Sequence, residues 1–280
     1  MKKGINIWSF PSGMTLSEKI VMAKKAGFEG IELSLDEEGE LSLKSGEKEL
    51  GAIKKLASDT GISLPSLASG LYWGNPITSS DPAIRKRSAE ITKRQLEAAS
   101  ILGCRTILVL PGVVNADFIP GCEIVEYDVA YERALNGFRT LSETAKEYGV
   151  YLCLENVWNK FLLSPIEMKT FIDEIGSEYV CSYLDVGNTI AFGYPEHWIK
   201  ILGTRIKSVH FKDYRSSVGT LGGFVDLLAG DVNYPAVVNE LNRTGYDGWV
   251  FGEMIPAYNH YSDQIIYNTS ASMDRILSGK

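Results

Sequence analysis

The feature that most constrains this chain is an eightfold alternation of two hydrophobic rhythms. Short runs of apolar and β-branched residues at 4–10, 28–35, 62–69, 105–112, 150–156, 180–186, 206–211 and 248–254 read as strands. Between them lie longer segments with apolar residues every three to four positions, among them TLSEKIVMAKKA, PAIRKRSAEITKRQLEAASILG and AYERALNGFRTLSETAKEYG, and a last helix is expected near 262–278. Small residues punctuate them. Ser164 precedes Pro165 at one helix start, and Gly27, Gly61, Gly103, Gly149, Gly176 and Gly245 fall just past helix ends, where a left-handed turn suits glycine. Parallel strands require crossover helices, and a ring of eight leaves no strand edge unpaired, so the expected fold is α/β, a single (β/α)8 barrel over residues 1–280. At 280 residues and 45% hydrophobic content, the chain is long enough to fill one. No Pro/Ser-rich linker divides it. An open doubly wound sheet is disfavoured because PSGMTLSE, and not a G-x-G-x-x-G fingerprint, follows the first strand.

A barrel of this kind places its chemistry at the C-terminal ends of its strands. The fifth strand ends in Glu155 and Asn156, the sixth in Asp185, the seventh in His210 and the eighth in Glu253. Each side chain alone has an ordinary explanation as a loop residue, a helix cap or a core histidine. Together, three acids and one imidazole on four adjacent strands form a donor set suited to one divalent ion, Mn, Co, Mg or Zn. Without a cation, three buried carboxylates would repel one another and resist ionisation. Lys212 could offset that only in part.

A formal charge of −7 argues against a nucleic-acid or anionic-lipid surface and favours a small-molecule partner. MKKGINIWSF enters a strand directly, with no signal-peptide core, and no run approaches the length needed to span a bilayer. Cys104, Cys122, Cys153 and Cys181 form no C-x-x-C pair, so neither a thiolate zinc site nor a disulfide framework is expected, and a cytoplasmic setting is.

LEN at 154–156, YLDVGN at 183–188, VHFKD at 209–213, GDVNYPAVVNEL at 230–241 and GYDGWVFGEM at 245–254 resemble the sugar-phosphate isomerase/epimerase branch of the xylose-isomerase-like TIM barrels. Within that branch the chain is most similar to the L-ribulose-5-phosphate (L-xylulose-5-phosphate) 3-epimerases, then to the D-tagatose and D-psicose 3-epimerases. The resemblance implies a metal held by Glu155, Asp185, His210 and Glu253, and an enediolate formed when the C3 proton of a ketose or ketose phosphate leaves. It implies that Glu155 and Glu253 take and return that proton on opposite faces. A homodimer or homotetramer is implied as well.

Further positions are expected to face substrate. Glu32, at the end of the second strand, would bond sugar hydroxyls or support a ligand. Asn188 matches the Gly-Asn of the pentulose-phosphate branch, where other ketose epimerases of the resemblance carry histidine. Lys212 would pair with a site carboxylate, Arg215 would grip sugar oxygens or a phosphate, and Trp8, Trp73 and Trp158 would form an apolar wall. The glycine-rich stretch 216–232 is expected to lengthen the last β-α unit and to close over the site. Three other readings share this barrel. An aldose-ketose isomerase or inosose-type dehydratase would use the same enediolate logic, and a non-catalytic sugar- or metal-binding barrel would keep the fold alone. An apurinic-site endonuclease is disfavoured by the acidic charge and by a total of only three histidines, His197, His210 and His260.

Overall fold

A computed structural model describes residues 1–255 and 257–279. In chain order the elements are β1 (Lys2–Asn6), α1 (Leu16–Lys25), β2 (Gly30–Ser34), α2 (Glu47–Thr60), β3 (Ser66–Ala68), α3 (Pro82–Leu102), β4 (Thr106–Val109), α4 (Tyr127–Tyr148) and β5 (Tyr151–Glu155). There follow α5 (Pro165–Ile175), β6 (Val180–Asp185), α6 (Pro195–Leu202), β7 (Ile206–Phe211), β8 (Asp213–Tyr214), β9 (Phe224–Val225), α7 (Tyr234–Arg243), β10 (Trp249–Gly252) and α8 (Gln264–Ser278). Eight of the strands close into a parallel barrel in the order β1-β10-β7-β6-β5-β4-β3-β2, the (β/α)8 architecture expected from the alternation. The other two, β8 and β9, form a small antiparallel hairpin beyond the end of β7.

Local sequence explains where elements begin and stop. Thr15 and Glu18 close a reciprocal capping box on α1, and Ser164 caps α5 ahead of Pro165. All six glycines expected past helix ends take positive φ. At Gly61, φ is 71° and its N–H bonds back to the last turn of α2, a backbone state that a side chain would oppose.

The barrel strands are shorter than the hydrophobic runs suggest. β3 keeps only Ser66–Ala68 of the expected 62–69, β4 only Thr106–Val109 of 105–112, and residues 7–9 turn into a 3-10 helix after β1. The reason is geometric: apolar residues past a strand end still pack against the helices, so hydrophobicity outlasts the hydrogen-bonded ladder. The long glycine-rich stretch lies between β7 and α7, which places it in the seventh β-α unit and not the last. Its order comes from Asp213, a buried carboxylate that accepts the backbone N–H groups of Tyr214, Leu228 and Val232. Among the described residues, no helix is long and apolar enough to cross a membrane.

Candidate metal and active site

Side chains alternate between the two faces of each strand, so Tyr183 and Asp185 on β6, and Ser208 and His210 on β7, all enter the barrel. Closure then brings the strand ends together. Glu155 and Asp185 end β5 and β6, His210 pairs in register with Asp185, and Glu253 follows β10, with its N–H on the carbonyl of Phe211. One donor atom from each of Glu155, Asp185, His210 and Glu253 lies within 4.8 Å of the others, and all four residues are buried. His210 Nδ1 sits 3.5 Å from both Glu155 Oε1 and Glu253 Oε2, and 4.0 Å from Asp185 Oδ2.

The imidazole is aimed from across the barrel. His210 Nε2 lies 2.7 Å from Glu32 Oε2. The same carboxylate accepts from Asn6 Nδ2 at 2.7 Å, Ser66 Oγ at 2.6 Å and Tyr183 OH at 2.7 Å. With its oxygens placed as acceptors, Glu32 accepts a hydrogen bond from Nε2–H, which leaves Nδ1 as the nitrogen that faces the acids. Glu32 thus lies in the middle of β2, fully buried, with every hydrogen bond to the protein's own donors; it stands beneath the histidine and not at the strand end facing substrate.

Asp185 is held by two asparagines. Its Oδ1 accepts the backbone N–H of Asn188 at 2.7 Å and its own N–H donates to Asn156 Oδ1 at 2.9 Å, while Asn188 Nδ2 donates to the Asn156 carbonyl at 3.0 Å. Asn188 therefore binds the ends of β5 and β6 together. A Cβ at Gly187 would fall 2.6 Å from the Lys212 carbonyl oxygen, so only glycine lets these two segments approach. Lys212 turns its ammonium inward, donating to Glu253 Oε2 at 2.7 Å and lying 3.9 Å from Asp185 Oδ2.

Burial and mutual repulsion split the acids. Burial, with Glu253 nearby, raises the Glu155 carboxyl above its ordinary range. Burial also pushes Asp185 up, to about 7, against the pull of Lys212. At Glu253 burial acts in the same direction, but Lys212 and His210 outweigh it and the net shift is downward. Burial would lower His210, yet Glu32 and Glu253 overcome that and hold it well above the usual imidazole value. Among the described residues, His210 Nδ1 and Asp185 Oδ2 are buried without a hydrogen-bond partner. Orphaned buried donors and acceptors are rare, and two of them facing each other within three carboxylates fit a bound divalent cation.

The remaining expected substrate contacts spread around the mouth. Trp158 packs 5.1 Å from the ring of Tyr214 and 5.4 Å from that of Phe224, and Phe224 in turn lies over the Lys212 ammonium at 4.6 Å. Phe224 lines one open cavity and Trp158 and Tyr214 another, and neither is lined by the four clustered side chains. One, of about 620 Å³, holds Arg215, Phe224, Met254 and His260. Arg215 is exposed and donates its Nε to the Ala229 carbonyl, so it points away from the acids. The other, of about 730 Å³, is lined by Trp158, Phe118, Phe192 and Tyr214. Trp73 sits edge-on to Phe118 at 5.0 Å, and Trp8 lies half-buried on the 3-10 turn after β1. Sequence reasoning passed over Tyr183 and Asn6, although strand alternation puts Tyr183 on the same face as Asp185. It gave no signal for Ser66 or Phe224.

A family model described as the xylose isomerase-like TIM barrel matches residues 20–271. The chain belongs to that family. Among its relatives is UlaE, an L-ribulose-5-phosphate 3-epimerase of Escherichia coli strain Crooks, 26% identical over 90% of this chain and 86% of its own length. SgbU of Escherichia coli strain K12, provisionally named for the same activity, is 28% identical over 90% of this chain and 87% of its own. Among solved folds, a D-psicose 3-epimerase superposes with a TM-score of 0.81 at 20% identity, covering 100% of both chains. The IOLI protein, crystallised with a zinc atom, superposes at 0.82 and 17% identity, covering 100% of this chain and 99% of its own. These two establish likeness of fold within the family.

Proposed function

We propose that this xylose isomerase-like barrel is an isomerase, a metal-dependent 3-epimerase of a ketose or ketose 5-phosphate, with Glu155 and Glu253 as its acid/base pair. The observation that carries the reading is the equal 3.5 Å approach of these two carboxylates, from strands on either side of β6 and β7, to the unpartnered Nδ1 of His210. The names of the relatives support the same class. One divalent ion, Mn, Co, Mg or Zn, would be held by Glu155, Asp185, His210 and Glu253, and would polarise adjacent oxygens of a ketose and acidify the C–H beside the carbonyl. Epimerisation needs that proton removed on one face and another delivered on the opposite face, which takes two carboxyl groups in opposite protonation states. Glu32 keeps the imidazole in one tautomer, and Lys212 steadies Glu253 between turnovers. The rings of Trp158, Tyr214 and Phe224 pack together beside the Lys212 ammonium.

Metal-loaded protein incubated with ketoses in deuterium oxide tests the proposal. Deuterium at C3, with inversion there, is the expected outcome. Label confined to C1 or C2 would instead identify an aldose-ketose isomerase on the same site, and absence of label from every ketose and ketose phosphate would rule out the mechanism.

A further inference from the structure

The cavity of about 730 Å³ at the barrel mouth has a composition that the epimerase reading does not use. Its walls come from four different β-α loops: Phe118 after β4, Trp158 and Leu163 after β5, Phe192 after β6, and Leu221 after β7. Phe192, Phe118, Leu163 and Leu221 are all exposed, an apolar patch rimming a concave site. Trp158 forms its inner end, edge-on to Phe192 at 6.2 Å and to Tyr214 at 5.1 Å. The indole is fixed there, since Nε1 donates to the Asn188 carbonyl at 3.3 Å. Through Phe224 and Lys212 this floor abuts Glu253 of the metal cluster.

Charge is as informative as shape. The lining holds one cation among the described residues, Lys160, and its ammonium closes on Asp117, another lining residue, at 2.6 Å. A phosphate in this cavity would meet a neutralised lysine and a carboxylate where it needs unpaired donors. Of the other basic groups of the mouth, Lys212 donates to Glu253, and Arg215 lines the neighbouring cavity with its Nε on the Ala229 carbonyl. A space of this size and apolarity suits a group of drug-like dimensions, well beyond one pentulose tail. Sugar rings offer flat C–H faces that stack on Trp and Phe, as aryl groups do.

We infer that this cavity is a second subsite, built for an uncharged ring carried by the substrate at the end remote from its reacting carbons. The substrate is then a keto-sugar bearing a glycosyl or aryl substituent, without a terminal phosphate. This rests on the epimerase reading for what happens at the metal, but the subsite is measured by binding alone.

Calorimetric titration of the metal-loaded protein with methyl β-D-glucopyranoside, cellobiose and 4-nitrophenyl β-D-glucopyranoside tests it. The two ring-bearing probes should bind at least about tenfold tighter than the methyl glycoside; cellobiose leading identifies a glycosyl occupant, and the nitrophenyl probe leading an aryl one. Phe192→Ala combined with Phe118→Ala, both partly exposed and outside the metal cluster, should erase that preference while the affinity for manganese stays unchanged. L-ribulose and L-ribulose 5-phosphate should bind within about threefold of each other. Equal affinity for all three glycosides, no binding of either ring-bearing probe, or a 5-phosphate preferred by more than about tenfold would each overturn the subsite. Should the ring preference hold while no ketose takes up deuterium, the epimerase reading fails and the subsite stands.

Discussion

The two halves of the barrel use polar residues in opposite ways. Strands β1 to β4 turn Asn6, Glu32, Ser66 and Thr106 into the interior, and each finds its partners within the protein. Strands β5, β6, β7 and β10 present Glu155, Asp185, His210 and Glu253, and two atoms of that set, His210 Nδ1 and Asp185 Oδ2, have none. The contrast teaches that burial of charge does not by itself mark a site. A satisfied carboxylate such as Glu32 is a support, while an unsatisfied one beside others is a ligand in search of a cation. Across the interior the halves meet where Glu32 of β2 reaches His210 on β7 and Tyr183 on β6, and where Thr106 of β4 meets Ser208 of β7.

The sharpest division between the halves should appear in turnover. Glu155→Gln or Glu253→Gln is expected to lower the C3 exchange rate by about 10³-fold, whereas Ser66→Ala should change it by less than about threefold. Comparable losses in both would show that the supporting half is as chemical as the other. Glu32→Gln probes the junction: manganese affinity by calorimetry should fall about 10- to 100-fold while the fold persists, because the acceptor for His210 Nε2 becomes ambiguous. Glu32→Ala goes further, leaving His210, Tyr183, Ser66 and Asn6 without their common acceptor, and should cost about 3 kcal/mol in denaturant unfolding. If manganese binds both variants as it binds the parent chain, the two halves do not communicate.

Metal and pH separate the halves more gently. Asp185, raised to about 7 from 3.8, keeps a proton in the metal-free fold that the unfolded chain has already lost, so its contribution to stability diminishes as pH climbs through that interval. His210, raised above 6.5, favours the fold below that value and ceases to as its own proton leaves. An ion needs both groups deprotonated, so its affinity should increase with pH while the metal-free protein loses stability. The melting-temperature gap between manganese-loaded and EDTA-treated protein should therefore be wider near pH 8 than near pH 5.5, where roughly hundredfold saturation at the higher pH adds about 2.7 kcal/mol. A gap independent of pH would remove Asp185 and His210 from the ligand set. The smallest effect belongs to the supporting half: Thr106→Val, which removes the hydroxyl's bonds to Ser208 and to the Pro65 carbonyl, should cost about 1 kcal/mol and leave manganese affinity untouched.

Much of this was legible in the order of residues. Acids and a histidine at four successive strand ends point to one metal site because barrel neighbours are sequence neighbours there. Glu32 was visible as a candidate to bond sugar hydroxyls or to support a ligand, but not which ligand it supports, since residues 32 and 210 meet only once the ring is closed. Lys212 and Asp213 show a similar limit. Adjacent in sequence, they point apart, one into the carboxylates and the other into the backbone of the 213–232 loop. Arg215, a candidate for gripping sugar or phosphate, is turned by that same loop into a different cavity.

By itself the sequence determined the alternation of strand and helix, the caps that bound them and the residues at the strand ends, because those depend on local backbone preference and hydrophobic period. Only the tertiary structure decided which nitrogen of His210 faces the acids, which carboxylate is satisfied, and that Phe118, Trp158, Phe192 and Leu221 from four loops share one cavity. Those are properties of distance across a closed barrel, and residues far apart in the chain acquire them only when β1 pairs with β10.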